Sequence, residues 1–344
     1  MATGVSDGAG DDDRVEGWVR TGDLDELLRE VERCCERRAW PALVDLADRC
    51  RRSGATGHQL WPVASFAEYR LALEAPAEVA GPVVDAGGGY LAPGPLTEVV
   101  AQSHTWSELD AHLRDPVVRR LVAQERVLRG EETAGATGPD DRPDDLPDRL
   151  LPWETGYPLA EYRPEGGRFP APESPGPGRA VAGTVRTIAA ECEEGTTALV
   201  DSLRHWSSRS SGSVAACGVE GSADDAIATL VAADPSPAHR LGDLNRSELR
   251  PGAAAALLAW AAASGAAHGP RRGAATGRFD AWWTMAVLAG VDDDWPDGVG
   301  EAAGELRWWA WGPTTGDVGW WCRIAVEDPD DGLAWALEAT DRRA

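Results

Sequence analysis

Apolar residues in the first third of the chain recur at helical spacing. Leu24, Leu27 and Val31 fall on one stripe of a helix, and Asp23 with Glu26 forms the pattern of a capping box at its start. The same reasoning predicts further helices from Trp40-Pro41, over 60–74, after Gly94-Pro95, after Thr105 and around 117–128. Short polar connections join these segments. We therefore expect residues 15–130 to form a helical domain, either a bundle or a solenoid-like array.

At the carboxyl end the pattern changes to alternation. Aromatic and β-branched residues fill 305–311, 319–327 and 333–340, and Gly, Pro and Asp residues separate the three runs. Turn residues between alternating runs predict an antiparallel β-meander. The alternation assigns one face to the core, with the side chains Leu306, Trp308, Ala310, Trp320, Cys322, Ile324, Val326, Leu333, Trp335 and Leu337.

Helical signals also occur between 180 and 341, so this second half is predicted to be α+β. We expect a short strand at 214–219, a helix after Ser222, an alanine-rich helix at 252–263 and an aromatic helix around Trp282. Asn245-Arg-Ser-Glu248 precedes the alanine-rich helix and fits its capping box. These helices are expected to pack on the meander.

The segment 131–179 separates the two halves. It holds ten prolines and an acidic run at 140–148, which exclude long helices and central strands. Its middle is aromatic, unlike a disordered linker. We therefore predict a Pro-rich, acidic linker that is partly packed, and a disordered tail at 1–14, where Gly and Asp predominate. The predicted fold class is α+β, with a mainly helical first half.

The charge composition narrows the classes of function. All 33 basic side chains are arginine, since lysine is absent, and 57 acidic residues bring the net charge to −24. The chain therefore has no Schiff-base or P-loop lysine, and its charge opposes binding to nucleic acid or an anionic membrane. Abundant Ala, Arg, Gly and Asp without Lys is also what GC-rich codons produce. The missing lysine by itself therefore carries little functional meaning.

Six cysteines without a regular framework indicate a reducing compartment, where they act as small apolar residues. The first residues lack the basic and apolar regions of a signal peptide, and the uncharged stretch 251–270 is too rich in alanine to span a membrane. We therefore expect a cytoplasmic protein. The six histidines fit no metal-ligand spacing, so neither a metal nor another cofactor is expected.

The second face of the meander carries an unusual set of aromatic and guanidinium groups: Arg307, Trp309, Trp311, Trp321 and Arg323. In one interpretation, the alanine-rich and tryptophan-rich helices cover this face. In the other, it is an exposed surface for a protein partner, since Trp and Arg are frequent interface anchors. The second interpretation requires that Trp309→Ala spares folding and abolishes partner binding.

A glycine-rich loop concentrates positive charge in this acidic chain. His268, Arg271, Arg272 and Arg278 lie within eleven residues, and arginine forks suit phosphate or carboxylate groups. Together with a following helix start they form a candidate anion site. The alternative is that these arginines pair with the many acidic side chains of the chain.

Two further patterns are weaker. Gly87-Gly88-Gly89 lacks the strand and helix that flank a nucleotide loop, so we interpret it as a turn. His205, Asp201 and nearby serines are the residue types of a catalytic triad. Asp201 and His205 are, however, an i,i+4 pair on a helix, and the chain contains no nucleophile elbow. No catalytic residue is therefore predicted.

Three segments resemble uncharacterised hypothetical proteins of GC-rich actinobacteria: Gln59-Leu-Trp-Pro-Val-Ala, Leu159-Ala-Glu-Tyr-Arg-Pro and Gly319-Trp-Trp-Cys-Arg-Ile-Ala-Val-Glu-Asp-Pro. That resemblance implies no activity, cofactor or catalytic residue. The leading hypothesis is a non-enzymatic intracellular interaction or scaffold protein, because helical layers offer concave surfaces. The alternative is an enzyme or small-anion-binding protein with a pocket between the halves.

Overall fold

The chain divides into two compact units. A computed structural model describes residues 7–53, 59–133, 146–173, 178–234, 240–291, 294–314 and 319–341. The first unit comprises residues 1–126 with 161–168, and the second comprises 127–160 with 169–344. Helices dominate the first unit, and the second combines helices with an antiparallel sheet. The predicted α+β class is thereby confirmed.

The first unit is built on an apolar helical core. Leu27, Val31, Leu43 and Val63 are fully buried in it. The predicted cap of the first apolar stripe is present, because the Asp23 carboxylate accepts a hydrogen bond from a backbone amide three residues later at 3.2 Å. Its helices are α1 (Asp7–Thr21), α2 (Leu24–Glu36), α3 (Trp40–Arg52), α4 (Trp61–Glu74), α5 (Ala77–Asp85), α6 (Leu96–Ser103), α7 (Trp106–Leu109) and α8 (Pro116–Leu128), which ends at the unit boundary.

Helix α1 includes residues 7–14, the described part of the tail that was predicted to be disordered. The helix begins at Asp7, and residues 1–6 lie outside the described chain. Val15 and Trp18 pack against the core of the first unit, and Arg49 of α3 forms an ion pair with Asp12 at 2.9 Å. These contacts with α2 and α3 stabilise helical structure in an acidic stretch that has little apolar content of its own.

A tyrosine holds a short hairpin in the first unit. Strand β1 (Glu161–Arg163) pairs antiparallel with β2 (Gly166–Arg168). The hydroxyl of buried Tyr162 donates to the fully buried Glu98 carboxylate at 2.6 Å, and the Gln102 amide pairs with the Tyr162 backbone at 2.6 and 2.9 Å. The aromatic middle of the Pro-rich segment is therefore divided between the two units.

A six-stranded antiparallel sheet organises the second unit. The strands are β3 (Arg179–Ala180), β4 (Ser213–Glu220), β5 (Leu244–Leu249), β6 (Arg307–Pro313), β7 (Trp320–Asp328) and β8 (Leu333–Asp341), in the order β3-β5-β6-β7-β8-β4. The helices are α9 (Glu193–Leu203), α10 (His205–Ser208), α11 (Ala223–Ala233), α12 (Pro251–Ala263), α13 (Ala274–Leu288) and α14 (Val299–Glu305).

The meander β6–β7–β8 shows the predicted alternation. Trp308, Ile324 and Leu337 lie on the face that packs with α9, α12 and α13, and all three are buried. Their neighbours Trp309, Ala325 and Ala336 lie on the opposite face, where α11 covers them. Both faces of the sheet are thus covered by helices, so the apolar side chains of both faces are buried.

Strand β5 corrects the interpretation of 245–248 as a helix cap. Asn245 to Leu249 pair with β6, with Arg246 opposite Trp311, and Arg250 is the residue that precedes α12. Asn and Glu have low strand propensity, so the local pattern favoured a cap. The strand forms because the edge of β6 supplies its hydrogen bonds.

Candidate functional site

The second unit contains a cavity of about 890 Å³, and one of its walls is a single face of α12. Ala253, Ala256, Leu257 and Trp260 line this wall. Their spacing of three, four and seven residues places them on one side of a helix. Because two of the four are alanines, the face leaves space that larger side chains would fill.

Tryptophans form the second wall. Trp320 and Trp321 begin β7, and the indole of Trp260 stacks on that of Trp320 with ring centroids 5.4 Å apart and an interplanar angle of 14°. Trp206 meets Trp320 edge-on at 6.5 Å and donates from Nε1 to the Ala261 carbonyl at 3.0 Å. These contacts fix the orientation of the stack before any ligand is present.

The Pro-rich segment supplies the third wall. Thr155 and Tyr157 line the cavity, as do Phe169 and Glu173. The hydroxyl of Thr155 donates to the Gly252 carbonyl at 2.9 Å, which ties the segment to the start of α12. This part of the predicted linker is therefore a wall of the cavity.

A buried ion pair holds that wall in place. The side chains of Glu154 and Arg278 are fully buried, and Nε and Nη2 of Arg278 donate to the two carboxylate oxygens at 2.9 and 2.8 Å. Arg278 also donates to the carbonyls of Pro147 and Arg149 at 3.1 and 3.2 Å. Bidentate geometry and full burial make this ion pair a strong polar anchor for the described part of the segment.

The same carboxylate fixes the phenol of the cavity wall. The Tyr157 hydroxyl donates to Oε1 of Glu154 at 2.6 Å. Burial by itself raises the pKa of Glu154, but the hydrogen bonds and charge of Arg278 outweigh burial and lower it. Burial, together with the Glu154 charge, raises the pKa of Tyr157. Of the described residues that line the cavity, only Tyr157 and Glu173 are ionisable, and Tyr157 stays neutral.

The arginines of the predicted anion site have separate partners in the structure. Arg278 pairs with Glu154 in the buried ion pair, and Arg272 donates to the Asp280 carboxylate at 2.6 Å. Arg271 stacks on the Phe169 ring at 4.9 Å, and His268 is exposed. Pairing of arginines with neighbouring carboxylates was the alternative interpretation, and the structure favours it.

His205 lies beside Arg272 rather than in a catalytic triad. Its Nε2 is 2.7 Å from the Ser264 carbonyl, so this nitrogen carries the proton, and Nδ1 faces the Arg272 guanidinium at 3.4 Å. Burial, and then the Arg272 charge, lower the pKa of His205 from 6.5 to about 4. Its partners make it a structural, neutral imidazole.

This imidazole predicts a pH dependence of stability. Between pH 6.5 and about 4 the unfolded chain protonates His205 and the folded chain does not, so the free energy of unfolding should fall as the pH decreases. His205→Gln removes this contribution. We expect urea unfolding at pH 7 and pH 5 to show a smaller pH difference for the variant than for the wild type. An equal difference would contradict the buried, neutral imidazole.

The predicted interaction surface on the sheet is largely buried. Trp309, Trp311 and Arg323 are 7%, 3% and 1% exposed. Arg323 donates to Glu338 at 2.6 Å, and the only exposed member of the predicted set is Arg307, with Trp321 half-buried on the cavity wall. The helix α11 covers this face, whereas the alanine-rich and tryptophan-rich helices pack on the other.

The cysteine side chains lie inside the protein. All six cysteines are free and buried, and burial raises the pKa of Cys50 and Cys217 to about 12. Such thiols are poor nucleophiles at neutral pH. Within the described ranges, no group of three or more His, Cys, Asp or Glu side chains is placed to hold a metal ion.

Family membership follows from a match that covers most of the chain. A family of unknown function, DUF6183, matches residues 25–343. The chain belongs to the DUF6183 family. No curated protein and no solved structure matches it. For this DUF6183 member, the described helices include none that is both long and apolar enough to cross a membrane.

The cavity is the feature of this DUF6183 protein that sequence reasoning missed. A signal was present, because Trp260 is the single aromatic residue in the alanine-rich helix and lies seven residues after Ala253. The partners of Trp260 come from β7 and from the Pro-rich segment, more than 50 residues away in sequence. Helical spacing alone therefore indicated a buried face rather than a cavity.

Proposed function

We propose that the protein binds a small organic molecule with a large apolar surface in the cavity of its second unit. The observation that carries this proposal is the stacked pair Trp260–Trp320 on the wall of a cavity of about 890 Å³. Small-molecule sites are concave, mostly apolar and of this size, and contain few polar groups. The half-buried indole stack offers a rigid aromatic surface to such a ligand.

A binding role is favoured over a catalytic one by the polar groups of the wall. The Tyr157 hydroxyl is committed to the Glu154 carboxylate, and Glu173 is exposed at the end of the Pro-rich wall. A nucleophile with an adjacent base would indicate catalysis, and the described lining residues include no such pair. The free, buried cysteines support placing this activity in a reducing compartment.

The test fills the cavity and measures the loss of binding. Ala253→Phe places a ring on the α12 wall, and Ala232→Phe, on the exposed surface of α11, is the size-matched control. The probe is 1-N-phenylnaphthylamine, a neutral dye that fluoresces in apolar sites and is excited by transfer from tryptophan. We expect about tenfold weaker binding for Ala253→Phe and wild-type binding for the control.

Two outcomes would overturn the proposal. One is equal binding of the dye by both variants, and the other is no binding by the wild-type protein. Thermal unfolding of each variant shows whether a lost fluorescence signal reflects a filled cavity or an unfolded unit. A variant whose cavity is filled should retain a cooperative unfolding transition.

The interaction role predicted from the sequence remains a second proposal, on a different surface. Trp61, Tyr90 and Leu91 of the first unit are exposed. The Leu91 amide lies 3.4 Å from the Ser65 hydroxyl, so the segment of Tyr90 and Leu91 lies beside α4, the helix that begins at Trp61. With a chain charge of −24, this region suits a basic protein partner. A cavity that binds no probe would make this the leading proposal.

A further inference from the structure

We infer that the cavity of the second unit selects an organic cation, with its positive group held against the aromatic walls. This inference rests on the proposed binding function and adds the charge of the ligand to it. The aromatic lining and the sign of the lining charge support it.

Five aromatic side chains line the cavity: Tyr157, Phe169, Trp260, Trp320 and Trp321. The face of an aromatic ring carries negative partial charge, so it attracts a cation and repels an anion. Tryptophan attracts a cation more strongly than tyrosine or phenylalanine does, and three of the five side chains are tryptophans. Leucine or isoleucine in these positions would bind a purely apolar ligand equally well.

The formal charge on the lining has the same sign. Glu173 is the one charged side chain among the described lining residues, because Tyr157 is neutral. The buried pair of Glu154 and Arg278, which lies behind Tyr157, is balanced in charge. The chain as a whole carries −24, which raises the local concentration of cations.

Arg271 shows that an aromatic residue of the lining already accepts a cation. Its guanidinium carbon lies 4.9 Å from the centroid of the Phe169 ring. Arg271 is outside the lining, but its charge opposes that of Glu173. Substitutions of these two residues should therefore have opposite effects. A cationic ligand should bind more weakly to Glu173→Gln and no more weakly to Arg271→Gln. An anionic ligand should show the reverse.

The experiment compares two probes that differ in one atom. Benzyltrimethylammonium and neopentylbenzene have the same shape, but nitrogen with a positive charge replaces carbon in the first. Phenylmethanesulfonate is the anionic counterpart. Each is titrated against the 344-residue chain loaded with 1-N-phenylnaphthylamine, and displacement of the dye is measured. We expect the cation to displace the dye at about tenfold lower concentration than the neutral isostere.

Substitutions in the cavity lining test whether these residues cause the selectivity. Trp260→Leu should reduce the preference for the cation while neopentylbenzene still displaces the dye. Glu173→Gln should weaken binding of the cation several-fold at low salt. Glu191 is an exposed carboxylate outside the lining, and Glu191→Gln should leave the affinity for the cation unchanged.

The outcomes separate the inference from the function on which it rests. If neopentylbenzene displaces the dye as well as the cation, the cavity binds apolar molecules and the inference of a cation is wrong. If phenylmethanesulfonate is the strongest competitor and Arg271→Gln abolishes its effect, the cavity selects anions. If the dye itself does not bind, the proposed function fails together with the inference.

Discussion

Glu154→Gln should destabilise the second unit by about 3–5 kcal/mol. The substitution keeps the shape of the side chain but leaves the Arg278 guanidinium, which is fully buried, without its counter-charge. Removing one partner of a buried ion pair has this effect because the remaining charge is solvated neither by water nor by its partner. The Tyr157 hydroxyl loses a charged acceptor at the same time.

Tryptophan fluorescence during urea unfolding measures this effect, because 12 of the 16 tryptophans lie in the second unit. The matched control is Asp201→Asn, which removes an ion pair with Arg204 that is largely exposed and should leave the transition close to that of the wild type. The double variant Glu154→Gln/Arg278→Met should recover much of the lost stability, since it removes the unpaired charge. A wild-type midpoint for Glu154→Gln would show that the pair does not hold the Pro-rich wall.

Gly277→Val should destabilise the second unit by about 3 kcal/mol, because α12 and α13 cross closely at this residue. A Cβ added to Gly277 would lie 2.2 Å from the Ala259 carbonyl oxygen and 2.8 Å from the Ala263 Cβ. The first contact is with backbone, which cannot rotate away, so the helices must move apart. Since α12 forms a wall of the cavity, dye binding should weaken together with stability.

The control for this substitution is Gly304→Ala in α14. A Cβ there meets nothing within 4 Å, and alanine favours a helix over glycine, so stability should be unchanged or slightly higher. Urea unfolding and dye titration of both variants test the comparison. If Gly277→Val unfolds at the wild-type urea concentration, the two helices do not approach as closely as described.

Much of the fold could be predicted because it depends on neighbouring residues. The N-cap at Asp23 requires only a backbone donor three positions along, and the alternation of Trp308 and Trp309 follows from the geometry of any strand. Antiparallel pairing followed in turn from short turns between three alternating runs. Such features are encoded within about ten residues, where sequence patterns are informative.

The candidate site was not predictable in the same way. Arg278 looked like a free cation in a glycine-rich loop, but its partner Glu154 is 124 residues earlier in the chain. The cavity joins one face of α12 to Trp320 and to Phe169, which no spacing in the sequence connects. Pairs of this kind depend on which segments meet, and a residue type does not identify its partner.

The sequence by itself therefore determined the helical first half, the antiparallel meander and the strongly acidic, lysine-free surface chemistry. Only the tertiary structure decided that the Trp/Arg face of the sheet is covered by α11, and that a Pro-rich segment closes a tryptophan-lined cavity. The physical reason is that periodicity records which side of an element is apolar, whereas burial and charge pairing depend on the element that packs against it.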